Sequence, residues 1–147
     1  WGHARDYVRM QWLMLQQATP KDYVIATNTQ ISVRHFIQCA AAELGVALRF
    51  EGTGVDERGI VERVEGDLAP AMSPGDVIVE VDPRYYRPAQ VDSLLGDPTL
   101  AKNELGWIPE IGLDDLIAEM ITSDLEDARR QALLKAHGYR APVPIAN

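Results

Sequence analysis

Residues 32–45 constrain this chain more than any other stretch. Val33, Phe36, Ile37, Ala40, Ala41 and Leu44 fall at i, i+3, i+4, i+7, i+8 and i+11, which is one face of a 3.6-residue helix. Ser32 can cap the start, and Gly45 can take the left-handed conformation that ends it. Leu48-Arg49-Phe50-Glu51 follows at once and reads as a strand. A helix with one apolar stripe running directly into a strand must bury the two against each other. The expected architecture is therefore α/β, a small sheet with helices packed on it.

The flanking segments extend that alternation. Over residues 4–17, Val8, Trp12 and Leu15, flanked by Tyr7 and Met14, recur at roughly helical spacing, and Pro20 forbids continuation, so a helix with a core-facing Trp and Met set is predicted. Tyr23-Val24-Ile25-Ala26-Thr27 is a short β-branched run that suits a buried strand. Residues 60–64 and 77–81 are two extended runs separated by Gly66, Pro70, Pro74 and Gly75, which predicts a long-looped hairpin projecting from the main body. Asp97-Pro98 resembles an N-cap followed by a first-turn proline, starting a short helix that Gly106 ends. Leu113, Leu116, Ile117, Met120, Ile121 and Leu125 define a last helix ending at Gly138, with the acidic residues between Asp114 and Asp127 on its solvated face.

A chain of 147 residues has the size of one domain or of part of a larger one. Its formal charge of −8, from 14 basic and 22 acidic residues, sets the average field against nucleic acid, so an anionic ligand must be met by a local cationic cluster. No apolar run approaches the length of a membrane span. The start, Trp1-Gly2-His3-Ala4-Arg5-Asp6, has neither an initiator methionine nor the layout of a signal peptide, and reads as the interior of a longer polypeptide. The single Cys39 lies inside a helical apolar pattern, which fits a packed thiol in a reducing compartment.

Chemistry concentrates in one place. Asp82-Pro83-Arg84-Tyr85-Tyr86-Arg87-Pro88-Ala89-Gln90-Val91-Asp92 puts two guanidinium groups, two phenol rings and an amide into one proline-stiffened segment. An arginine fork donates parallel hydrogen bonds to phosphate oxygens, so the segment suits a nucleotide diphosphate; it also reads as a surface turn with solvated arginines. Other constellations fail. His3, His35 and His137 are far apart and form no recognised metal-ligand pair. Gly52-Thr53-Gly54 lacks the third glycine of a dinucleotide cradle and is not followed by a helical pattern. His3 reads as a satisfied structural histidine, and Arg5 with Asp6 as a local ion pair or cap.

Taken together, Trp1-Gly2-His3-Ala4-Arg5-Asp6-Tyr7-Val8, Phe50-Glu51-Gly52-Thr53-Gly54, Val81-Asp82-Pro83-Arg84-Tyr85-Tyr86-Arg87-Pro88, Leu95-Gly96-Asp97-Pro98 and Leu105-Gly106-Trp107-Ile108-Pro109 resemble, in order, the C-terminal part of the GDP-mannose 4,6-dehydratase family of extended short-chain dehydrogenases. The resemblance implies a cytoplasmic enzyme of nucleotide-sugar metabolism, on the route to GDP-fucose. It oxidises hexose C4 with NADP, eliminates water across C5 and C6, and returns the hydride to C6 to give GDP-4-keto-6-deoxymannose. It implies that residues 1–147 are a substrate-binding region, with the NADP-binding Rossmann domain outside this chain and a homo-oligomer formed by the whole enzyme. No tyrosine here is followed at the fourth position by lysine, so no catalytic residue is assigned. By similarity Arg87 binds the diphosphate, and Gln90 stands where the family usually has a ribose-binding glutamate. A glutamine there offers one acceptor and one donor but lacks the charge-assisted acceptor strength of a carboxylate. Arg84, Tyr85 and Tyr86 are implied as pocket-wall residues. The partners implied are GDP-mannose and the remainder of the dehydratase polypeptide; the competing readings are a noncatalytic nucleotide-sugar module and an orphaned fragment.

Overall fold

A computed structural model describes residues 1–87 and 94–139. In chain order these residues form helix α1 (Ala4–Leu15), helix α2 (Val33–Glu43), strand β1 (Val46–Glu51), a short 3-10 turn (Gly54–Asp56), strands β2 (Arg58–Val64) and β3 (Val77–Glu80), and helices α3 (Thr99–Leu105) and α4 (Leu113–Ala136). The strands make one antiparallel sheet in the order β1-β2-β3.

The segment that most constrains the sequence folds as expected. The Ser32 hydroxyl accepts the His35 amide at 3.1 Å, and Gly45, at φ 72°, turns the chain out of α2 into β1. The Gly45 carbonyl then accepts the Glu65 amide at 2.8 Å, tying the helix end to the far end of β2. Val46, Leu48 and partly buried Phe50 alternate toward α2, where they meet Ala41, Ile37 and Leu44, while Arg49 and Glu51 point outward. Gly59 faces both Phe50 and Val79 in register, and a Cβ there would come within 2.9 Å of the Val79 side chain. The missing side chain makes room for its two large neighbours. The hairpin is thus no projection. Because β2 is the central strand, bonded to β1 on one side and β3 on the other, it belongs to the body of the sheet.

A second core forms around α1, and here the periodicity misled. Met10 is fully buried against Ala101 and Trp107, with Tyr7, Leu13, Met14, Tyr23 and Ile25 packed round them. Val8, Trp12 and Leu15 form the opposite face and are 61%, 59% and 81% exposed. The helix carries two apolar faces, and only the one centred on Met10 has a partner among the described residues. The predicted strand at residues 23–27 is likewise not a ladder strand: it has no strand neighbour among the described residues to receive its amides. Its side chains still alternate, with Tyr23 and Ile25 turned inward.

Asp6 joins α1 to the C-terminal half. It is 2% exposed, and its carboxylate accepts the amides of Glu110 and Ile111, each at 3.0 Å, while its backbone carbonyl accepts Trp107 Nε1 at 3.0 Å. Its cation is Arg9 at 3.7 Å, one turn on, rather than the expected Arg5. Arg9 also reaches the Ile108 carbonyl and the Glu110 carboxylate. His3 caps α1, its Nδ1 accepting the Arg5 amide at 3.1 Å. Helix α3 starts one residue later than expected: Pro98 is the flanking residue, and the Asp97 carboxylate accepts the Thr99 amide at 2.9 Å. Gly106, at φ 63°, ends it as expected.

Two outcomes follow from these contacts. Asp6→Ala leaves two part-buried amides without their acceptor and should destabilise the fold by about 2–4 kcal/mol in chemical denaturation, far more than Asp115→Ala on the exposed face of α4; equal effects would refute the anchoring role. The second concerns Glu104, which receives the Lys21 ammonium and the Tyr23 hydroxyl, the latter at 2.8 Å. Hydrogen bonding to Lys21 first, and then to Tyr23, holds the Glu104 carboxyl below its usual range, and hydrogen bonding to Glu104 raises both Lys21 and Tyr23. A depressed carboxylate loses its contribution as pH falls through its folded pKa, and raised groups lose theirs as pH rises through theirs. Tyr23 ring resonances should therefore stay constant from about pH 5 to pH 9 and move outside that window. In Glu104→Gln the acid-side change should vanish.

Candidate functional site

The arginine segment leaves the sheet at the end of β3 and is shaped first by Asp82. Its carboxylate accepts the Arg84 amide at 2.9 Å, and its carbonyl accepts the Tyr85 amide at 3.0 Å, closing a turn with Pro83 at the position proline favours. The same carboxylate takes Arg84 Nε at 3.0–3.1 Å and Nη2 at 2.6 Å. Arg84 is thus committed to a carboxylate two residues away, and its guanidinium lies 5.6 Å from the Tyr85 ring. The side-chain bond to Arg84 holds the Asp82 carboxyl below its usual range, and the same bond raises the guanidinium pKa.

Tyr86 turns back toward the loop before β2. A Cβ placed on Gly54 would lie 3.4 Å from the Tyr86 hydroxyl, and Gly54 sits at φ 62°, so the glycine serves both the backbone turn and the approach of the phenol. The Gly52-Thr53-Gly54 turn runs into a 3-10 turn and then β2. Dinucleotide cradles need a helix N-terminus at that point, and none follows. Tyr85 is 76% exposed and Tyr86 44%.

Arg87 is exposed and has no hydrogen bond or ion pair to another described residue. That distinguishes it from Arg34, Arg49, Arg58, Arg63 and Arg84, each of which has a carboxylate within salt-bridge distance. Arg5 and Arg129 also lack one among the described residues, and they stand on the exposed surfaces of α1 and α4. Gln90 lies outside the described residues. Where the chain is next described it heads for the second core: a Cβ on Gly96 would collide with Ala26 at 2.6 Å and with Val24 at 3.1 Å. Gly96 therefore lies against the extended residues 23–27.

A separate cavity of about 340 Å³ lies between residues 1–2, residues 27–31 and the start of α4, with Thr27, Thr29 and Glu110 among its polar walls. None of the sequence-predicted site residues lines it. Asp6 shapes this cavity from behind, because its bonds to Glu110 and Ile111 fix the loop before α4. The signal for Asp6 was present: it shares a helix face with Met10, four residues on, where a carboxylate is tolerated only if hydrogen-bonded. Among the described residues there is no group of three or more potential metal ligands, and no helix is long and apolar enough to cross a membrane.

The family model for GDP-mannose 4,6 dehydratase matches residues 1–120. A Vibrio cholerae protein named GDP-mannose 4,6-dehydratase is 61% identical over 145 residues, 99% of this chain and 39% of the relative; one of the same name from Yersinia enterocolitica is 50% identical over the same shares. A human GDP-mannose 4,6 dehydratase is 42% identical over 126 residues, 86% of this chain and 31% of the relative. The chain thus spans about two-fifths of the length of its bacterial relatives. With the model covering residues 1–120 and similarity extending along nearly all of its length, this chain belongs to the GDP-mannose 4,6-dehydratase family.

Proposed function

We propose that this chain is the nucleotide-sugar-gripping portion of a GDP-mannose 4,6-dehydratase, with Arg87 as its diphosphate ligand. The observation that carries the residue assignment is the contrast between the two arginines of the segment. Arg84 already has its charge met by Asp82, whereas Arg87 has no described carboxylate to satisfy it. In a chain of net charge −8 an uncommitted guanidinium is where a ligand bearing roughly two negative charges would be accepted. The Asp82–Arg84 turn then acts as a brace that presents Tyr85, Tyr86 and Arg87 in sequence, and Gln90 stands three residues further on to meet the ribose.

The oxidation, elimination and reduction are assigned to the remainder of the polypeptide, whose NADP this chain does not fit. Its only Gly-x-Gly turn opens onto a strand, and it has no Tyr-x-x-x-Lys pair. We further assign the finer fold class, a C-terminal region built against a Rossmann-type domain, and a cytoplasmic homo-oligomeric enzyme, by family membership.

In the full-length enzyme, Arg87→Ala should raise the dissociation constant for GDP-mannose about 10- to 100-fold by titration calorimetry, while Arg84→Ala should change it less than about threefold. An unchanged constant for Arg87→Ala, or a larger loss for Arg84→Ala, would overturn the assignment. Gln90→Glu should leave affinity equal or improved. The 147-residue chain alone, incubated with NADP and GDP-mannose, should form no 4-keto sugar; turnover would show that the chemistry resides here after all.

A further inference from the structure

Strands β2 and β3 are antiparallel, and Arg58 at the start of β2 pairs with Glu80 at the end of β3. The loop that enters β2 and the arginine segment that leaves β3 therefore emerge at the same end of the sheet. Gly54 lies in the first and Tyr86 in the second. A Cβ on Gly54 would stand 3.4 Å from the Tyr86 hydroxyl and 3.8 Å from the ring carbon that bears it.

The loop of residues 52–57 is fastened at both ends. Gly52, at φ 79°, lets the backbone fold onto itself, since a Cβ there would collide with the Asp56 carbonyl oxygen. The Thr53 carbonyl accepts the Asp56 amide at 3.2 Å, and the Gly54 carbonyl accepts the Glu57 amide at 3.4 Å. Glu57 then takes Arg34 Nε at 2.6 Å, which ties the loop to α2, and the Arg34 guanidinium lies 5.6 Å from the Phe50 ring of β1. The bonds of Asp82, by contrast, stay within the arginine segment, reaching only Arg84 and Tyr85. They fix the shape of the turn but not the direction in which residues 85–87 leave it. The Tyr86 ring against a fastened loop supplies that direction.

We propose that Gly54 is a positioning residue for the nucleotide-diphosphate site: the loop of residues 52–57 is a seat for the Tyr86 ring, and the seated ring sets where the adjoining Arg87 presents its guanidinium. This rests on the reading of Arg87 as the diphosphate ligand. The seat imposes a size limit rather than a polarity rule. An alanine at position 54 would reach the phenol only at ordinary contact distance, whereas a side chain extending beyond Cβ competes with the ring for the same space. A displaced Arg87 loses binding that substrate and transition state share, so the cost falls on KM and not on kcat.

Steady-state kinetics of the full-length enzyme with GDP-mannose test this. Gly54→Asn should raise KM about tenfold and leave kcat within about twofold. Gly66→Asn is the matched control: Gly66 has φ 74° and nothing within 4 Å of a Cβ, so it carries similar backbone strain without the contact and should leave both constants unchanged. Asparagine tolerates the left-handed conformation, which favours folding of both variants, and Gly54→Ser carries the same test if Gly54→Asn does not fold. Gly54→Ala should match the control. In a Tyr86→Ala background Gly54→Asn should add nothing further to KM. An unshifted KM in Gly54→Asn, or the same shift with and without the Tyr86 ring, would overturn the proposal. Arg87→Ala measured alongside separates the two claims. A raised KM in Arg87→Ala, with Gly54→Asn no different from Gly66→Asn, sinks the seat and leaves the ligand assignment standing. A Tyr86-dependent shift in Gly54→Asn beside an unchanged Arg87→Ala does the reverse, the seat then serving a group other than Arg87.

Discussion

The carboxylate of Asp6 is the contact on which the arrangement depends. Burying a charge in a small fold is costly unless every lone pair is used, and here two amides from residues 110 and 111 converge on one oxygen while Arg9 stands near the other. These bonds join residues separated by more than 100 positions, bringing the start of the chain against the loop before α4. Trp107 completes the junction, its ring buried against Met10 and its Nε1 bonded to the Asp6 carbonyl. The knot lies beside the core that Met10, Ala101 and Trp107 form together.

The other body, α2 on the three-stranded sheet, is organised by ordinary apolar packing, and it carries the arginine segment at its outer strand. The electrostatics of that segment depend on neighbours rather than on composition. A protein with a surplus of acidic groups has no general affinity for phosphates, and the arginines of its strands, Arg49, Arg58 and Arg63, are each paired with a glutamate. Arg84 continues that habit and Arg87 departs from it. The distinction between a paired guanidinium and one without a described carboxylate, three residues apart, comes from the reach of Asp82.

Local rules were legible wherever the interaction spans a few residues. Ser32 capping α2, Gly45 and Gly106 in left-handed conformations, and the acidic outer face of α4 are all properties of near neighbours along the chain. Family membership was legible too, because it resides in the order of short motifs. Faces were harder. In α1 the regular spacing of Val8, Trp12 and Leu15 suggested the core side, yet Met10 is buried and that stripe is open. A helix apolar on two sides gives no sequence signal for which side meets which partner. Gly59 is similar, since its meaning comes from Phe50 and Val79 on the flanking strands.

The sequence by itself determined the helices, the strands of the sheet, several of their caps and the family, because propensity, capping and motif order are written in adjacent residues. Only the tertiary structure decided that the hairpin is the middle and edge of the sheet, that Asp6 answers residues 110 and 111, and that Arg84 is satisfied internally. Strand neighbours, burial of a carboxylate and competition for a guanidinium are settled by groups brought together across the fold, and separation along the chain carries no record of such distances.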